Sequence, residues 1–315
     1  MSLKKNSTKS AARSAPTTLP RFIRLRPRVW ASLAALAVCG VVGHFFWRHY
    51  APVVARHPQY QLTAENIHIT PLPAWIRTDV KAEVLRDAGL AGNLSLLDDW
   101  DTLCRRISDA FRFHPWVASV GRIRQRLPAA LEIDLEYRRP IAAVESTDSS
   151  GVAFLPIDVH AVRLPEADMS EIELRYLPRI TGITGRPLLG DVWRDERVMG
   201  GAKLAAELAD VWQPLRLVEI MPSIQLQSRG EEKFYTFEII ASGGTRIVWG
   251  TAPGQEVIAG ESPCAVKRQR LLEFATKNGQ LDSIDGPELV DVRSELVVTP
   301  RTARKKPADK ESELK

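Results

Sequence analysis

Cysteine is scarce in this chain, with three in 315 residues, and none has a partner at a metal-ligand or redox spacing. Cys39 lies within a long apolar run, and an oxidising compartment would permit a bridge between Cys104 and Cys264. Nothing in the spacing of Cys104 and Cys264 asks for a bridge, and two separate buried thiols are expected. Histidine is nearly as sparse. His44, His49, His57, His68, His114 and His160 form no cluster and sit in no nucleophile motif. Ser242-Gly243-Gly244 lacks the strand–serine–helix elbow of a hydrolase, and Gly182-Ile183-Thr184-Gly185 is too short for a phosphate loop. The pair Glu231-Glu232 reads as a solvated hairpin flank. The residues therefore point away from an enzyme and call for no metal and no cofactor.

Acidic residues are missing from the start of the chain, where none precedes Glu65. The first 28 residues hold eight Lys and Arg and no acid, whereas the whole chain carries +5, so the remainder is acidic at −3. A second basic excess lies in the tail beyond Pro300. The positive charge thus belongs to the two ends, and nucleic-acid binding is not expected.

Against these absences stands one long apolar run, Val29 to Phe46, with no formal charge. At 1.5 Å per residue its eighteen residues reach about 27 Å, close to the hydrocarbon thickness of a bilayer. Lys4, Lys5, Lys9, Arg13, Arg21, Arg24, Arg26 and Arg28 all precede it, and Phe45, Phe46, Trp47 and Tyr50 supply an aromatic belt at its end. The positive-inside bias places the N-terminus in the cytoplasm and the rest of the chain across the membrane. A cleaved signal is the rival reading, with Val53-Val54-Ala55 as its site, but the start is long and Arg-rich. A lipoprotein signal is disfavoured by Val38 before Cys39.

Residues 1–28 read as a disordered basic tail and 29–47 as a transmembrane helix. Tyr60–Thr70 alternates weakly as a strand and is stopped by Pro71 and Pro73. Ile76, Val80, Val84 and Ala88 recur at helical steps before Gly89, and Asn93–Asp99 reads as a loop ending in a capping Asp98 or Asp99. Trp100, Leu103, Cys104, Ile107, Ala110 and Phe111 then mark one face of an amphipathic helix. Trp116–Arg126 and Ala130–Arg138 read as strands around Pro128. The second alternates Leu131, Ile133, Leu135 and Tyr137 with Glu132, Asp134 and Glu136.

Beyond Pro140 the texture is β-rich. Ile141–Glu145, Ala153–Ile157, Arg179–Ile183, Leu215–Gln227, Phe234–Ala241 and Arg246–Trp249 read as strands. Ser242–Thr245 reads as a hairpin turn. Trp193–Trp212 and Ala265–Lys277 read as helices, Leu289–Val298 as a final strand or strand pair, and 300–315 as a charged disordered tail.

The string from His114 to Ala142, HPWVASVGRIRQRLPAALEIDLEYRRPIA, resembles the signature of the FtsQ/DivIB cell-division proteins. Pro115, Trp116, Val117, Arg124, Pro128, Leu131, Ile133, Pro140 and Ala142 carry the likeness. The hairpin ending in Trp249-Gly250 and the segment Asp291-Val292-Arg293 are similar in layout. One residue is inserted between Trp116 and Pro128, placing a bulge at Gly121. Tyr137 stands where the family usually carries Glu, and 146–176 is longer and more acidic.

The resemblance implies an α+β chain with one N-terminal transmembrane helix, a POTRA domain of β-α-α-β-β order at 58–140 and a C-terminal mixed β-sheet domain with helices at 141–299. It implies a non-catalytic single-pass scaffold of the bacterial divisome, in the inner membrane at the division septum, binding partners of FtsB/FtsL type and helping to coordinate septal wall synthesis. The partner-binding residues it implies are Val290, Val292, Arg293, Leu296, Val297 and Val298, on a C-terminal sheet edge, with Arg293 meeting an acidic partner side chain. Further partners through the POTRA domain are also expected. Two alternatives stay open: a POTRA-bearing component of polypeptide export or outer-membrane assembly, and an envelope enzyme with a scattered site.

Overall fold

The computed structural model describes residues 27–55, 61–90, 94–95, 99–126, 129–148, 151–279, 281, 283 and 285–301. Residues 1–26 and 302–315 of the two charged tails, the turn at Pro128, the alternative cap Asp98 and the start of the strand at Tyr60 lie outside them, whereas Pro27 and Arg28, expected in the disordered tail, are helical. The chain divides into two units, Met1–His57 and Pro58–Lys315. The first contains helix α1, Pro27–Ala55, whose stretch Val29–Ala51 is long and apolar enough to cross a membrane.

The second unit opens with β1 (Gln61–Leu62), a 3₁₀ turn at Ala64–Asn66 and β2 (Ile67–Ile69). The single strand expected over this stretch is broken because its halves serve different partners. Leu62 pairs with Leu94, whereas Ile67 pairs with Leu131. Helix α2 (Val80–Asp87) starts where Asp79 accepts a hydrogen bond from the Ala82 N–H at 3.0 Å. Ile76 is buried but precedes it. β3 (Leu94–Ser95) pairs with β1 inside the segment expected to be a loop. Helix α3 (Trp100–Arg112) is capped by Asp99, which accepts from the Thr102 N–H at 3.0 Å.

Strands β4 (Val117–Arg126) and β5 (Ala130–Tyr137) are antiparallel, and β2 joins β5 in parallel, giving the order β2-β5-β4. Their register shifts between Val117 and Ser119 and again between Val120 and Ile123, around Gly121, where a bulge was expected. Leu103, Ile107 and Phe111 of α3 and Val80 and Val84 of α2 pack against Leu131, Ile133 and Leu135. Each such buried side chain contributes about 1.5–3 kcal/mol. Trp116 is buried in this core, as its place at a strand start suggests.

After β5 come β6 (Ala142–Asp148), β7 (Gly151–Ile157), α4 (Glu171–Tyr176) and β8 (Arg179–Thr184). Helices α5 (Glu196–Glu207) and α6 (Ala209–Trp212) replace the single helix expected at Trp193–Trp212, with the break at Leu208. Then follow β9 (Leu217–Pro222), the small hairpin β10 (Gln227–Arg229) and β11 (Glu232–Phe234), β12 (Thr236–Ala241) and β13 (Arg246–Thr251). The chain closes with α7 (Glu256–Ala259), α8 (Cys264–Asn278), β14 (Leu289–Asp291) and β15 (Val297–Thr299).

Eight of these strands form one mixed sheet, β15-β14-β13-β12-β9-β8-β6-β7. The β12–β13 turn uses Gly244 at φ +82°, a backbone conformation that L side chains rarely adopt. Helix α5 lies so close to the sheet that a Cβ on Gly200 would strike the Phe237 ring, and one on Gly201 would press on Ile180 at 2.8 Å. Glycine at these helix positions is a requirement of packing.

Four residue pairs fasten the segment 77–138 to the segment 158–173. The Trp116 Nε1–H donates to Asp168 Oδ2 at 2.5 Å, and the Thr78 hydroxyl donates to the other Asp168 oxygen. Arg77 Nη2 reaches both oxygens of Glu173 at 3.0 and 2.8 Å, and Arg138 pairs with Asp158 at 2.7 Å. The Glu173 carboxyl lies below its ordinary range, chiefly because the backbone N–H and the hydroxyl of Ser170 donate to it, with Arg77 adding charge.

Candidate functional site: the terminal sheet edge

Among the described residues the large sheet ends on β15, which pairs there with β14 alone. Leu289–Val298 is thus a strand pair, with Leu289 opposite Thr299, Val290 opposite Val298 and Asp291 opposite Val297. β14 is held on its other side by parallel pairing with β13. Leu296, Val297 and Val298 are 41%, 56% and 40% exposed, and every residue from Arg293 to Pro300 is exposed. A strand at a sheet margin turns alternate N–H and C=O groups outward, so β15 offers backbone that a further strand can pair with.

The six residues expected at the partner surface separate into three roles. Leu296, Val297 and Val298 form the exposed margin itself. Val290 and Val292 are fully buried in the core of the sheet and support the margin from beneath. Arg293 is exposed, but Asp291 already holds it, with Nη2 to Oδ2 at 2.7 Å and Nε to Oδ1 at 3.1 Å. Arg293 lies in the bend just past β14, where its backbone N–H also donates to Asp291 Oδ1 at 3.0 Å, so a local turn sets this pair. Arg293 therefore enters any partner contact as half of a neutral pair.

A polar brace fixes this end of the sheet. The Ser262 N–H donates to the Arg293 carbonyl at 2.8 Å, and Arg270 Nη1 donates to the Val292 carbonyl at 3.0 Å. Below them Lys267 and Glu261 form an ion pair at 2.6 Å. Glu261 also accepts from the N–H and hydroxyl of Thr251 at 2.9 and 3.0 Å, and the Lys267 ammonium lies 5.5 Å from the centre of the Trp249 ring. Sequence reasoning missed this brace, because no periodicity links positions 251, 261 and 267.

Burial pushes the Asp291 carboxyl up, but the Arg293 guanidinium and backbone N–H outweigh it, and the net shift is downward from 3.8. A depressed carboxyl contributes stability that is complete above its unfolded-state pKa and is lost as pH falls through the folded value. Acidification below about pH 4 is therefore expected to loosen the β14–β15 pair before the core. Hydrogen exchange at Val297–Thr299 should accelerate there, and Asp291→Asn should remove that acceleration. An unchanged profile in the variant would show that Asp291 does not carry the effect.

Cys104 on α3 and Cys264 at the start of α8 are free and only partly buried, less enclosed than the sequence implied. Burial, then the neighbouring Glu207 and Glu256, push the Cys264 thiol up to about 12, which leaves it unreactive. Arg122, Arg124 and Arg126 are exposed along β4, and two of them pair across to β5, Arg124 with Asp134 at 3.1 Å and Arg126 with Glu132 at 2.8 Å. Among the described residues no group of three or more His, Cys, Asp or Glu converges as a metal site. No protein-family model matches the chain, and a comparison with curated proteins returns no match.

Proposed function

We propose that this chain is a non-catalytic single-pass scaffold of the bacterial division machinery, of FtsQ/DivIB type. In this reading α1 anchors it in the inner membrane with the N-terminus in the cytoplasm. The strand–helix–helix–strand–strand module is a POTRA domain, and the large sheet is the partner-binding domain. The observation that carries the proposal is the exposed β15 margin, to which an FtsB/FtsL-type partner adds a strand. Alternate residues of β15 aim their N–H groups outward, so of Val297 and Val298 one donates to the partner. Proline at that position removes the donor without touching the core.

Of Val297→Pro and Val298→Pro, one is expected to abolish co-purification of FtsB/FtsL-type proteins while the melting temperature of the full chain shifts little. Undiminished co-purification with both variants would remove β15 from the partner surface. A fluorescent fusion is expected at the septum of dividing cells, and an even envelope signal would count against the division role.

The second reading, a polypeptide-export component, has one observation in its favour. Strand β4 runs for ten residues at the margin of its own sheet and, among the described residues, pairs with β5 alone. An even envelope signal together with capture of unfolded polypeptide on β4 would favour it.

A further inference from the structure

A cleft of about 490 Å³ opens where α2 and the end of α3 meet the segments 165–168 and 188–190, away from β15. That is the size of a ligand pocket. Its floor is apolar, with Val84, Ala110 and Pro165 among the lining residues. At its edge Phe113 is 87% exposed, and Leu189 is exposed beside it. A large aromatic side chain left in solvent at the mouth of an apolar cleft is characteristic of a protein-binding anchor point.

The charge of the cleft is one-sided. Glu83, Asp87 and Asp168 line it, and no Lys or Arg does. Asp168 is almost fully buried, and among the described residues its carboxylate accepts from the neutral donors Trp116 and Thr78. Glu83 meets His114 Nε2 at 3.3 Å. The Trp116 backbone N–H reaches His114 Nδ1 at 3.3 Å, which turns Nε2 toward Glu83. Asp87 pairs with the adjacent Arg86 at the exposed surface.

We propose that this cleft docks a polypeptide segment in which an arginine is flanked by apolar residues. The arginine stem would lie on the apolar floor with its guanidinium on Asp87 and Glu83. Its planar face suits the exposed Phe113 ring, and the neighbouring apolar side chain fills the remaining volume. The acidic balance of the chain outside its two tails favours encounter with such a segment. This surface is separate from β15 and stands or falls independently of it.

The test uses the full chain in phosphatidylcholine nanodiscs, with empty discs as control. The probe is a fluorescent decapeptide of alternating leucine and arginine, and its counterpart replaces arginine with glutamate. The arginine peptide is expected to bind saturably and the glutamate peptide not to bind. Phe113→Ala and Asp87→Lys, both on exposed side chains, are each expected to weaken binding tenfold or more with unchanged circular dichroism. Equal binding of both peptides, no binding, or affinities untouched by both variants would overturn the proposal. So would a Phe113→Cys chain that links to itself through position 113, since the cleft would then be covered by a second copy.

Discussion

Replacing Lys267 with Met is expected to lower the unfolding free energy by about 3–5 kcal/mol, the cost of leaving a buried ionic partner uncompensated. Lys267 is fully buried, and the Glu261 side chain facing it at 2.6 Å is only 8% exposed. Methionine fills nearly the same volume, so the loss isolates the charge from the packing. The Thr251 donors still reach Glu261, but two neutral hydrogen bonds do not replace an ammonium ion. The double variant Glu261→Gln/Lys267→Met should recover much of the loss, because neither charge then remains. Chemical denaturation of the four proteins of this cycle measures the coupling directly. If the double variant loses the sum of the two single losses, the brace is not acting as a charge pair. The brace sits under β14 and β15, so Lys267→Met should also raise hydrogen exchange along the sheet margin.

Trp116→Ala is expected to cost about 3–5 kcal/mol through the cavity left by a fully buried indole. Part of the effect belongs to Asp168, which loses the Nε1–H donor it meets at 2.5 Å. Trp116→Phe separates the two contributions. It keeps most of the buried surface and should cost about 1–3 kcal/mol, the penalty for a buried acceptor deprived of a partner. Thermal unfolding of the full chain followed by tryptophan-independent circular dichroism provides the measurement. If Trp116→Phe matches the parent protein, the hydrogen bond between the segments 77–138 and 158–173 contributes nothing to their attachment.

Where an element's own residues decide its conformation, the sequence was sufficient. Helix α3 was legible because its apolar face recurs at helical spacing and Asp99 caps it; β5 was legible because its alternation is strict. The turn at Gly244 and the end of α8 near Gly279 followed from glycine in the same way. Elements defined by distant partners were not legible. β3 is two residues long and exists only because Leu94 meets Leu62. The stretch Leu215–Gln227 looked continuous, but its strand ends at Pro222 and resumes only as the small β10–β11 hairpin.

The candidate site divides along the same line. The position of the last strand pair was visible, since branched residues cluster from Val290 to Val298. That Val290 and Val292 face inward and Leu296–Val298 outward depends on the pairing of β14 with β13, which joins segments more than forty residues apart. The Trp116–Asp168 contact spans 52 residues and has no local signal. Neither the buried pair at Lys267 nor the one-sided charge of the junction cleft can be read before the chain is folded.

Hydrogen exchange at the amides of Val297, Val298 and Thr299 tests the central claim most directly, measured on the full chain alone and after co-purification with its FtsB/FtsL-type partners. An added strand predicts strong new protection at alternate residues of β15, with β7 at the opposite end of the sheet unchanged. Identical exchange in the free and the assembled protein would contradict the claim that this margin receives a partner.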